Sequence, residues 1–184
     1  MKTMRLQCSP CLAVILIALL SLQLPLSAVV IKNDNPQLKQ LLADANDEAF
    51  ELAKDADDTQ MLILTDGNWV NHALMLARVK GHVDNLALII DKLSKAHASG
   101  SELQQEAIDQ ILPLVKDLSA NTTAAINYLN QNRARPISDS YTQYLKKNAE
   151  TAHQLSSIIS SLVDYEKSMA GIEELRSKLV ATGN

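Results

Sequence analysis

At 184 residues the chain is long enough for one domain with a sizeable core. Apolar residues make up 47% of it but aromatics only 3%, and with just five Gly and five Pro it disfavours a sheet-and-turn architecture. A net charge of −4 without basic clusters argues against nucleic acid and anionic lipid as partners.

The first 28 residues read as an export signal. Lys2 and Arg5 form a basic start, Leu12 to Leu20 an apolar run, and Ser21 to Ala28 an exit that ends in small residues after a Pro. Cleavage after Ala28 leaves 15 basic against 21 acidic residues, a net charge of −6. The alternative is an uncleaved anchor, because the apolar stretch from Leu12 to Ile31 has about the 20 residues that a membrane span needs. Membrane association is expected only in that case. Both cysteines, Cys8 and Cys11, lie in this segment, so the mature chain is expected to be free of disulfides and thiol ligands.

Asn35 followed by Pro36 reads as an N-cap with proline at the first helical position. Leu38, Leu41, Leu42, Ala45, Ala49, Leu52, Ala53 and Ala56 then hold helical spacing, with Asp44, Asp47, Glu48, Glu51 and Asp55 assigned mainly to the solvent side. One helix over 36–65 is expected, with a kink at Met61 to Leu64 as the alternative. A second helix is expected over 69–97, from the stripe Trp69, Leu76, Val79, Val83, Leu86, Ile90 and Leu93; Gly81 inside it costs about 1 kcal/mol relative to Ala. Ser101 and Gln104 have the form of a capping box for a third helix over 102–133, which Pro113 should bend. Ser138 or Asp139 caps a fourth over 139–180. Short connections favour antiparallel neighbours, so the expected fold is all-α: an up-down-up-down four-helix bundle, a single domain over 29–184 behind the signal segment.

Counting outward from each turn places Gln60, His72, Thr122 or Ile126, and Asn148 or Thr151 at similar heights in such a bundle. The simple reading is a hydrogen-bonded layer that fixes helix register. The sharper one is a small-ligand or metal pocket centred on His72. Glu150 and His153 match the Glu-x-x-His spacing of bundle metal sites, but the second helix offers no matching pair, so no cofactor is expected. Haem attachment and nucleophile motifs are lacking in the expected mature chain, His82 and His97 read as solvated, and the glycosylation-like Asn121 reads as an ordinary helix-face residue. A non-enzymatic protein is expected.

The fourth helix outruns the others. Residues 171–180 overhang, carrying Ile172, Leu175, Leu179 and Val180. They pack either locally, against Val29 to Ile31 and the 98–101 turn, or against a protein partner or a second copy of the chain.

The runs WVNHALMLARVKGHVDN, SANTTAAINYLNQN and YLKKNAETAHQLSSIISSLVDYEK resemble a group of exported all-helical proteins of bacteria to which no function is attached. The resemblance implies a helical bundle and an export route. In gross shape the chain is also similar to the helical sensory domains of membrane receptors, departing from them in having no second membrane span and no signalling segment. The expected role is binding or scaffolding in the cell envelope, periplasmic or secreted, with the His72-centred pocket as the alternative.

Overall fold

A computed structural model describes residues 35–65 and 68–182. The chain divides into two units, Met1–Ile31 and Lys32–Asn184, and the described residues all belong to the second. The expected export segment lies outside them.

Four helices make up the described fold: α1 (Pro36–Thr65), α2 (Trp69–Ala96), α3 (Glu102–Gln131) and α4 (Asp139–Thr182). A 3-10 turn, His97–Ser99, follows α2. No strand occurs among the described residues. The helix starts carry side-chain caps, and all but that of Asn68 are ones the sequence suggests. Asn35 Oδ1 accepts from the Gln37 amide at 2.9 Å, and Asn68 Oδ1 from the Val70 amide at 2.9 Å. Ser101 and Gln104 form a reciprocal capping box, and Ser138 Oγ accepts from the Tyr141 amide at 3.2 Å. Each cap satisfies amide groups that no helical carbonyl can reach, and is worth about 1 kcal/mol. α1 continues unbroken through Asp57, Asp58 and Met61 to Leu64, and Pro113 stands exposed inside an unbroken α3.

α1 packs against α2 and α4, and α3 against α2 and α4, whereas the diagonal pair α2 and α4 meets through side chains, at His72 and Tyr141. These are the contacts of a helical bundle. The apolar stripes meet in two clusters. The larger includes Leu38, Leu52, Leu86, Ile90, Ile111, Leu118, Leu155 and Ile159; the smaller contains Leu76, Ala125, Leu129, Tyr141 and Leu145. Burying a large aliphatic side chain fully stabilises the fold by about 1.5–3 kcal/mol, so these stripes are what hold the helices together. No helix among the described residues is long and apolar enough to cross a membrane.

Gly81 lies exposed in the middle of α2, and a Cβ added there would meet nothing within 4 Å. Its backbone freedom is therefore a cost with no packing return. Gly81→Ala should raise stability by about 0.5–1 kcal/mol, read as a higher urea midpoint with an unchanged slope.

Candidate functional site

Four sets of polar residues sit between the helices, and they separate what the sequence groups into one layer. Asn148 of α4 lies 2% exposed where the two apolar clusters meet. Its Oδ1 accepts from Asn121 Nδ2 at 2.7 Å and from Thr122 Oγ1 at 3.3 Å, while Asn121 also donates to the Tyr144 carbonyl at 2.7 Å. Asn121 is thus buried and engaged, and it serves as a link between α3 and α4. Thr151 is buried one turn further along α4, and Gln60 is half-buried on α1.

His72 belongs to a different level. It is fully buried, and its Nδ1 lies 3.1 Å from the Tyr141 hydroxyl, with the rings edge to face at 5.4 Å. Tyr141 also stacks on Tyr128 at 6.0 Å. Asn148 follows Tyr141 by seven residues, which is about 10 Å of helix. The expected layer therefore misplaces His72 by about two turns relative to Asn148: His72 stands fourth in α2 and Tyr141 third in α4, whereas Asn148 stands tenth. The chemistry of the pair is simple. Burial pushes the Tyr141 phenol well above its ordinary range, so the hydroxyl stays neutral beside an imidazole nitrogen.

The third set joins α1 to α2 and departs from the sequence reading. Asp55, assigned to the solvent side, is fully buried. Its Oδ1 accepts from Arg78 Nη2 at 2.7 Å, and its Oδ2 lies 3.3 Å from His82 Nε2. His82 Nδ1 lies 2.7 Å from Glu48 Oε1, so this histidine is only a quarter exposed and not solvated as expected. Oδ2 is within ion-pair distance of the ring but outside hydrogen-bond geometry. A buried carboxylate requires such partners, since removing one leaves an uncompensated charge. The sequence does hold the signal: Glu48 and Asp55 stand seven apart on one helix, opposite His82 and Arg78, four apart on the next.

The fourth set is Gln104 Nε2 donating to Glu166 Oε1 at 2.5 Å, between α3 and α4. Both residues are buried.

The Glu-x-x-His pair does not converge. His153 Nε2 turns to Asp57 on α1 at 2.9 Å, whereas Glu150 is exposed and lies 3.6 Å from Lys146. His97, also expected to be solvated, is half-buried, with Nε2 3.2 Å from Asp109. Among the described residues no group of three His, Cys, Asp or Glu side chains could hold a metal ion.

Beyond Glu166 the character of α4 changes. Every residue from 170 to 182 is exposed, including Ile172 at 55%, Leu175 at 62%, Leu179 at 72% and Val180 at 67%. The stretch is about 20 Å long. Its charged residues pair within the helix, Glu173 with Arg176 at 3.8 Å and Glu174 with Lys178 at 2.6 Å. Such surface pairs contribute at most about 0.5 kcal/mol each, so they do not explain the apolar face. A groove of about 430 Å³ between α3 and α4, lined by Leu103, Ile158, Leu162 and Tyr165 among others, lies on the side where this stretch begins.

Because the Tyr141 phenol is held neutral in the fold and ionises near pH 10 in the unfolded chain, stability should fall as pH rises above about 10. The slope from this one group is at most about 1.4 kcal/mol per pH unit. Tyr141→Phe should remove that part of the alkaline loss, seen by comparing urea midpoints of the two proteins from pH 8 upward.

Comparison with known protein families, with curated proteins and with solved structures finds no match to this chain.

Proposed function

We propose that the chain is an exported, non-catalytic binding or scaffold protein of the cell envelope, and that its working part is the bare end of α4. In this reading residues 1–28 direct export, and the helices run up-down-up-down. Two series of contacts support that order. Glu48 and Asp55 meet His82 and Arg78, so rising numbers on α1 meet falling numbers on α2. Gln104 and Asn121 meet Glu166 and Asn148 in the same reversed sense.

The observation that carries the docking role is the exposure of Ile172, Leu175, Leu179 and Val180 on a helix whose bundle contacts end near Glu166. Extending a helix about three turns past its neighbours adds little to fold stability, since helices that short are marginal in water without packing. Contiguous apolar surface of this kind is what protein–protein contacts use.

Ending the chain after Ala170 tests this. The truncated protein should keep its Tm within about 2 °C, a shift that corresponds to about 0.5–1 kcal/mol in a domain of this size. It should also lose the cross-linked assemblies that the intact protein forms in the envelope. A large fall in Tm would make the overhang part of the fold and remove the docking role.

A further inference from the structure

The apolar residues along the end of α4 are spaced symmetrically. Tyr165, Met169, Ile172, Leu175 and Leu179 follow one another at intervals of four, three, three and four. The series therefore reads the same in both chain directions about Ile172. At 3.6 residues per turn the five lie within about 120° of the helix circumference, a single face. Tyr165 is 50% exposed, Met169 half-buried, and the other three more than half exposed.

Resting on the docking role of this face, we propose that its occupant is the same face of a second copy of the chain, antiparallel, about a two-fold axis at Ile172. In that arrangement Ile172 meets Ile172, Met169 meets Leu175, and Tyr165 meets Leu179, so each apolar side chain faces another. This is what an isologous contact requires: one patch complementary to itself. A parallel arrangement also matches like with like, but it sets Glu173, Glu174, Arg176 and Lys178 beside their own copies, whereas the antiparallel one does not. There Glu173 and Glu174 fall level with Gly171 and Ala170 of the second copy, Arg176 with Ser168, and Lys178 with Glu166, which is buried against Gln104 in its own bundle, so no like charges are set level. The overhang carries two acidic and two basic residues, so it brings no net repulsion to the contact, unlike the acidic chain as a whole.

One further feature fits. The face is continuous with the groove between α3 and α4. Tyr165 lines both, and Leu103 at 39% exposure stands at the same end of that groove, so Leu179 of the second copy reaches its mouth. Ten large side chains at about 100 Å² each would bury roughly 1,000 Å², the lower limit for a specific interface. The expected species is therefore a reversible dimer, not an obligate one.

Sedimentation equilibrium of the full chain, from low micromolar to several hundred micromolar, should show a monomer–dimer equilibrium. Ile172→Asp should weaken it at least tenfold and leave the thermal unfolding of the bundle unchanged. Register is read with Tyr165→Cys and Leu179→Cys chains, each also carrying Cys8→Ser and Cys11→Ser. Mixed, the two should form disulfide-linked dimers with each other, and neither should do so alone. A monomer at every concentration, a dimer indifferent to Ile172→Asp, or self-linking of each cysteine variant would overturn the proposal. The first of these, with the bundle's Tm still indifferent to Ile172→Asp, leaves the docking face to a different protein. A bundle destabilised by Ile172→Asp would instead reject both readings.

Discussion

An amphipathic helix can bury its apolar face only as far as neighbouring helices run beside it. In this protein α1, α2 and α3 span 28 to 30 residues, and α4 spans 44. The apolar stripes of the three shorter helices are therefore used up within the bundle, where Leu38, Leu86, Ile111 and Leu155 are all fully buried. The stripe of α4 continues past the last interhelical bond, Gln104 to Glu166, with no change of spacing. Its final turns carry a face built like the core and left in solvent. The proposed role in binding depends on this mismatch in length.

The buried polar groups do a separate job. A hydrocarbon core tolerates sliding of one helix along another, since one leucine contact resembles the next. A buried amide or carboxylate does not, because leaving it unpaired costs about 1–3 kcal/mol. The Asn121–Thr122–Asn148 cluster, the Asp55–Arg78–His82–Glu48 cluster and the Gln104–Glu166 bond join α3 to α4, α1 to α2, and α3 to α4 respectively. His72 and Tyr141 tie α2 to α4. Each allows one register between its helices and penalises a slip of a single turn. By fixing the α3–α4 register, the pairs on those helices also set where α4 emerges.

Much of the fold is legible in the sequence, because its helix boundaries are written in local chemistry. Asn35–Pro36, Asn68, Ser101 with Gln104, and Ser138 act within a few residues of themselves, and period 3.6 marks the buried faces. The overhang is legible for the same reason: it stems from helix lengths alone. The polar sites are harder to read, because heights compared across helices depend on the offset of each turn, and an error of a few residues moves a side chain by a full turn. The expected layer sets His72 level with Asn148, whereas its place near the start of α2 matches that of Tyr141 near the start of α4. Asp55 reads as solvent-facing because a lone acidic residue among acidic neighbours carries no sign of the arginine and histidine that meet it from another helix.

Amide hydrogen exchange along α4 of the intact protein, measured at rising concentrations, tests the central claim most directly. Residues 141–166 should be protected to the same degree at every concentration, with the stability of the bundle. Residues 171–182 should exchange rapidly in dilute solution and become protected as concentration rises. Strong protection of 171–182 at the lowest concentration would mean that this face is already packed within one molecule, which would contradict its role as a free docking surface.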